Sequence, residues 1–323
     1  MSEPTLNPFK FLLVSPSELH SALSHASSSP RRIVPMAVGR ESGLKSYETK
    51  HIPGSVYESP VQNQKENKFL LKMKLTNNNS FFNVDQIRDS NAPYPFMLPS
   101  PSHFAVSMTE LGIRADDILV MYDTLETGFY FSPRVAWICR HFGHSDVHVL
   151  NSFPRYVEQG YEVLEGQKPE ALVAGENYPE RSPPVSNDVI GFNELHTYLS
   201  AHTKTEGGQY QILDTRPNDQ FSGSDTGAAI TGHMPSAVNI PLNSLLSADK
   251  SLLPVSQLKG LFEAKGVKEG LPVILTCNSG TTAPALGLAL DVSGYQMPKR
   301  LYDGSWFEWR DKATREEGLI ITD

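Results

Sequence analysis

The chain has 323 residues, 39% of them apolar, enough to bury two ordinary α/β cores. A net charge of −8 provides no basic field for phosphate backbones, and no apolar run approaches the roughly 20 residues that span a bilayer. Direct nucleic-acid binding and membrane insertion are therefore not expected.

The first elements in chain order are a helix start at Val14-Ser-Pro-Ser-Glu-Leu-His20 and a short buried strand at Arg32-Ile-Val34. The turn His51-Ile-Pro-Gly54 follows. Leu111-Gly-Ile113 leads into a strand over Asp117 to Asp123, and Val135 to Arg140 has a helical apolar face that holds Cys139. His148 to Phe153 is a strand running into a turn.

The second half repeats this order. Gly191 to His196 comes before Gln211-Ile-Leu213, and His233-Met-Pro-Ser236 answers the His51 turn. Lys265-Gly-Val267 leads into Leu271 to Cys277, and Arg300 to Trp306 closes the unit. Asp123 therefore holds the place of Cys277. Strands alternating with helices predict two α/β domains, each a parallel sheet flanked by helices.

The boundaries read from the sequence are 8–163 and 188–318, with the Pro-, Glu- and Ser-rich stretch 164–187 as linker. Partners lie 182 residues apart at His51 and His233 but 156 apart at Asn83 and Asn239. About 26 extra residues thus sit near 56–80, rich in Asn, Lys and Gln. A polar surface loop and a translated intron are both open readings, which the mature transcript separates.

Only two cysteines occur, so a disulfide framework is excluded and a reducing compartment fits. The N-terminus has Glu3 and no Arg-rich pattern, so the expected location is cytoplasmic, with a mitochondrial one left open. Cys139 reads as a small buried hydrophobe. Cys277 ends the apolar run Val273 to Thr276, and the helical stretch Thr282 to Asp291 follows with Pro284 near its first turn. The intervening Cys277-Asn278-Ser279-Gly280-Thr281-Thr282 is small and polar. Its backbone N–H groups, with the helix N-terminus, would favour a thiolate or persulfide over a neutral thiol.

A cysteine phosphatase would need an Arg six residues after the Cys, and that residue is Ala283. Cys139, His141 and His144 lack a fourth ligand at sensible spacing, so no metal is expected, and no cofactor is implied. His51 and His233, in equivalent turns, read as hydrogen-bonding residues, and Asp303 as a turn-former.

The cysteine loop, the Gly232-His-Met-Pro235 turn and the string Leu301-Tyr-Asp-Gly-Ser-Trp-Phe-Glu-Trp309 resemble the tandem-domain rhodaneses and 3-mercaptopyruvate sulfurtransferases. Asn91 to Tyr94, Met97 to Pro99 and Ser132 to Arg134 extend the likeness to the first half. The resemblance implies an inactive N-terminal domain with an Asp at the cysteine position, matched by Asp123. It also implies a small-molecule sulfur donor, a Cys277 persulfide, and thioredoxin, cyanide or a sulfur-carrier protein feeding tRNA thiolation as acceptor.

Thiosulfate-type members carry two basic residues after the Cys, whereas Asn278-Ser279 is closer to the Gly-Ser of the mercaptopyruvate type. By the same resemblance Ser279 relays a proton, and Asn278, Gly280, Thr281, Thr282, Gln220 and Asp85 contact substrate. The family's helper His is replaced by Phe96, and its two carboxylate-binding Arg residues by Gln220 and Ala229. A sulfur-relay or scaffold protein with little small-molecule turnover is the alternative reading.

Overall fold

The computed structural model describes residues 7–26, 29–55, 81–166, 177–182, 187–202, 209–225, 227 and 230–323. The extra stretch at 56–80, most of the linker and Ala229 lie outside these residues. The chain divides into two compact units, one from the described residues of Met1–Arg88 and Pro99–Pro184, the other from Asp89–Leu98 and Val185–Asp323.

In the first unit the strands are β1 (Leu13–Val14), β2 (Ile33–Gly39), β3 (Phe81–Asn83), β4 (Ile118–Asp123) and β5 (Val147–Leu150). They form one parallel sheet in the order β1-β5-β4-β2-β3. The helices are α1 (Pro16–Ser24), α2 (Leu44–Thr49), α3 (Pro101–Glu110), α4 (Ser132–His141) and α5 (Phe153–Glu158). The start of α1 is fixed locally: Ser15 and Glu18 form a reciprocal capping box around Pro16. Every residue of the central strand β4 is buried, as expected of a parallel sheet covered on both faces.

The second unit repeats the plan. Its strands β6 (Val189–Ile190), β7 (Gln211–Asp214), β8 (Ala237–Asn239), β9 (Val273–Thr276) and β10 (Lys299–Tyr302) are parallel in the order β6-β10-β9-β7-β8. Helices α6 (Phe192–His202), α7 (Asn218–Ser222), α8 (Val255–Ala264), α9 (Ala283–Val292) and α10 (Ser305–Lys312) accompany them. Helix α9 is buried from Ala283 through Leu290, so it is apolar all round.

The repeat extends to details. His51 makes an antiparallel bridge with Leu164, and His233 makes one with Ile321. Beside the second bridge, Gly232 has φ +120°, and a Cβ there would lie 2.3 Å from the Ile321 carbonyl oxygen. No other residue fits that turn. The ladders also align the two central strands: Met121 pairs with Val149 and that with Leu13, while Leu275 pairs with Leu301 and that with Val189. Two residues further on stand Asp123 and Cys277.

One segment departs from chain order. Asp89–Leu98, read from the sequence as part of the first domain, clusters with the second unit. The Leu98 N–H donates to the Asp303 carboxylate at 2.8 Å, and the Tyr94 ring lies 5.8 Å from the Lys312 ammonium. Asp303 therefore does more than shape its own turn. Cys139 is fully buried in α4, and burial pushes its thiol far up, so at neutral pH it is a protonated packing group.

His51, His144, His148 and His233 are all lowered from the usual histidine range, chiefly by burial. His144 is held between the Tyr178 hydroxyl at 2.8 Å and the Asp117 carbonyl oxygen at 2.9 Å, an arrangement of the neutral ring. The unfolded chain binds protons on these groups first. Their effect on stability is therefore flat above the ordinary value of 6.5 and turns destabilising as pH falls from there through the folded values. The urea midpoint is expected to drop between pH 7.5 and 5.5, and to drop less in His144→Gln; an equal drop in both would remove His144 as a contributor.

Candidate active site

The carboxyl ends of parallel strands are where α/β sheets present their loops, and β9 there ends at Thr276 with Cys277 as the next residue. Six residues later α9 begins, at Ala283 rather than Thr282, with Pro284 in its first turn. Gly280, at φ +73°, makes the left-handed bend that turns the loop back toward the helix. Cys277 is only 2% exposed, and Ser279, Gly280, Thr281 and Thr282 are buried with it.

The loop is held from several sides. The Ser279 and Thr281 hydroxyls lie 3.0 Å apart, and Thr282 meets Thr215, the residue after β7, at 2.7 Å. The Asn278 carboxamide N–H donates to Oε1 of Gln220 at 2.9 Å. Beneath them the turn after β10 closes the site: the Cys277 N–H donates to the Ser305 hydroxyl at 3.2 Å. The N–H groups of Trp306 and Phe307 donate to the carbonyls of Cys277 and Asn278, each at 2.9 Å.

Those last two bonds settle which way the loop dipoles point. In a trans peptide the C=O and N–H are antiparallel, and the chain has no cis bond. With the carbonyls of 277 and 278 turned to α10, the N–H groups of Asn278 and Ser279 face the opposite side. None of the backbone N–H groups from Asn278 to Thr282 has an acceptor among the described residues. The loop is thus a cluster of free donors at the start of a buried helix, a setting for an anion.

The first unit shows such a place when filled. Asp123 is 1% exposed, and its two carboxylate oxygens accept the N–H groups of Phe131 and Ser132 at 2.7 and 2.9 Å, at the start of α4. Burial pushes this carboxyl up while the N–H groups pull against it. The anion site of the first unit is occupied by the chain itself.

The structure therefore brings together Cys277, Asn278, Ser279, Gly280, Thr281, Thr282 and Gln220. Asp85 belongs to the first unit, where its carboxylate is engaged by the Arg40 guanidinium at 3.0 Å and by the Glu41 N–H. Four contributors escaped the sequence reading: Thr215, Arg216, Ser305 and Trp306. Arg216, 1% exposed, is gripped by Asp214 at 2.7 to 3.1 Å, donates to the Gly232 carbonyl at 2.8 Å and stacks 4.2 Å over Trp306. Ser305 and Trp306 belong to a string noted only as a signature. Gly304 in that string has no room for a side chain, since a Cβ would lie 2.1 Å from the Glu308 carboxylate. Among the described residues no three His, Cys, Asp or Glu side chains gather as a metal site, and no helix is long and apolar enough to cross a membrane.

Two repeated parallel sheets with an acidic and a cysteine loop at matching strand ends define a pair of tandem rhodanese-like domains. Residues 197–312 match the family model described as the rhodanese-like domain. The chain is 34% identical over 236 residues to the thiosulfate sulfurtransferase of Gallus gallus, covering 72% of this chain and 78% of that one. It is 30% identical over 283 residues to the 3-mercaptopyruvate sulfurtransferase of Homo sapiens, covering 87% and 83%. The crystal structure of the Tum1 protein of Saccharomyces cerevisiae superposes with a TM-score of 0.78 at 25% identity, covering 97% and 98%. The chain belongs to the rhodanese family and is a sulfurtransferase.

If Asp123 satisfies the amide cluster of the first unit, Asp123→Ala leaves two buried donors unpaired at a cost of about 1–3 kcal/mol. Chemical denaturation should show that loss, with sulfurtransferase activity retained.

Proposed function

We propose that Cys277 carries sulfur as a persulfide. The observation that supports this most is a buried cysteine beside five backbone N–H groups that have no acceptor among the described residues. With 3-mercaptopyruvate as donor, the Cys277 thiolate attacks the thiol sulfur and the carbon–sulfur bond breaks. Its electron pair leaves as the pyruvate enolate, which takes a proton, and the outer sulfur remains on Cys277. With thiosulfate, the sulfane sulfur transfers and sulfite departs. A second nucleophile, such as a thiol, cyanide, thioredoxin or a sulfur-carrier protein, then attacks the outer sulfur and returns the Cys277 thiolate.

The loop donors stabilise the charge before and after transfer. Ser279, whose hydroxyl lies 3.0 Å from that of Thr281, is the proposed proton donor to the enolate. Gln220 and Asn278 form the neutral amide pair beside it, and Asp85 is the proposed contribution of the first unit. The two unpaired cysteines suit a reducing compartment, in the cytoplasm or the mitochondrion.

One observation favours relay between proteins over turnover of small anions. Gln220 carries no charge and accepts from Asn278, and Nε and Nη2 of Arg216 are taken by Asp214, which leaves only a buried Nη1 and no guanidinium fork for a donor carboxylate. In this second reading the persulfide passes to a protein acceptor, as in tRNA thiolation.

Incubation with 3-mercaptopyruvate or thiosulfate and a thiol or cyanide, beside Cys277→Ser, tests the proposal. Sulfide or thiocyanate formation, with an added sulfur atom on Cys277 by peptide mass, is the expected outcome. No product above the Ser variant for any donor, with no added sulfur, would overturn it. Added sulfur without turnover supports the relay. Gln220→Arg places a guanidinium beside Asn278 and should raise kcat/KM for 3-mercaptopyruvate about tenfold; an unchanged value would mean that the donor carboxylate lies elsewhere.

A further inference from the structure

We propose that Ser305 is a positioning residue for Cys277, acting through the peptide bonds of the nucleophile rather than on the reacting atoms. The inference rests on the reading of Cys277 as the sulfur carrier.

Ser305 is the first residue of α10, fully buried, and holds φ at +48°, a left-handed conformation that a non-glycine residue adopts at a cost. The hydroxyl accounts for its presence there. It donates to the Tyr302 carbonyl at 2.7 Å and accepts the Cys277 N–H at 3.2 Å. A single oxygen thus joins the end of β10 to the residue after β9.

The neighbouring bonds give this contact its function. Trp306 and Phe307 hold the carbonyls of Cys277 and Asn278, while Ser305 holds the N–H of Cys277. Three successive peptide planes, 276–277 to 278–279, are then bonded on their α10 side. The N–H groups of Asn278 and Ser279 can only point away from it, where the sulfur charge develops. Without the hydroxyl, the Cys277 N–H is left buried and unpaired, and the 276–277 peptide keeps only the bond from the Thr215 N–H to the Thr276 carbonyl, on the side away from α10. The turn itself is pinned from outside, because the Asp303 carboxylate accepts the Leu98 N–H and a Cβ on Gly304 would collide with Glu308. Leu275 and Leu301 are paired in the sheet, so the strand ends carrying the two loops sit side by side.

A purely structural role and a positioning role separate in two variants. Ser305→Gly removes the hydroxyl and relieves the left-handed strain, whereas Ser305→Ala removes the hydroxyl and keeps the strain. Iodoacetamide alkylation of Cys277, assigned by peptide mass to separate it from Cys139, is followed across pH in both variants and in the unmodified chain. Thermal melts run alongside. Both variants should alkylate about tenfold more slowly near neutral pH, with the profile moved to higher pH, although Gly melts at or above Ala. Where a donor turns over, kcat should fall with KM nearly unchanged. The proposal is overturned if Ser305→Gly alkylates within about twofold of the unmodified chain with an unmoved profile, or if only Ala is impaired. Because alkylation needs no sulfur donor, this result stands apart from the turnover test: a chain that transfers no sulfur defeats the functional reading and still leaves the thiol profile to judge Ser305.

Discussion

The carbonyl oxygens of Cys277 and Asn278 accept from the first turn of α10, and the direction of the Asn278 and Ser279 N–H groups follows from that pair of bonds. A helix start leaves N–H groups without intrahelical partners, and here the loop supplies acceptors for two of them. The same act points the loop's own N–H groups the other way. One helix end is thereby capped by the loop while a second, α9, begins where the loop finishes. The arrangement is possible only because β9 and β10 are adjacent and parallel, so that their carboxyl ends lie on one edge of the sheet.

The two units show what a single change at that edge does. Both place a residue two positions beyond a ladder-matched pair, Met121 with Val149 and Leu275 with Leu301. In the first unit that residue is a carboxylate, and the chain between it and α4 closes down to give it two N–H donors. A carboxyl built into the chain supplies the acceptors itself, so the donors are satisfied. In the second unit the residue is a thiol, which packs as a small hydrophobe when protonated and calls on the donors only when ionised or sulfurated. Fold and site edge are common to both; the side chain at that position differs, and on the proposed reading it makes one edge a plug and the other a sulfur-carrying centre.

Much of this was legible in the sequence because it is local. The apolar run before Cys277, the small polar loop and the helix with an early proline each lie within a few consecutive residues, and the repeat aligned Asp123 with Cys277 without a structure. What was not legible depends on residues distant in sequence. Cys277 meets Ser305 across 28 positions and Asn278 meets Gln220 across 58, and neither pair leaves a periodic trace. Arg216 could be seen as an arginine but not as one sealed beneath Trp306 and bound to Asp214. Asp89–Leu98 clusters out of chain order for a related reason: the Leu98 N–H finds its acceptor, Asp303, in the second unit.

A cradle made of dipoles has a different selectivity from one made of cations. Guanidinium groups attract an anion from a distance and grip its oxygens, whereas peptide N–H groups act over a few ångströms and reward charge only once it is in place. The chain carries a net charge of −8, so the long-range field does nothing to gather anionic donors. On the proposed reading the loop N–H groups serve charge that forms on the sulfur during transfer rather than charge captured from solution, whatever delivered the sulfur. The choice of donor and acceptor then falls to residues outside the loop, among them the uncharged Gln220 and Phe96.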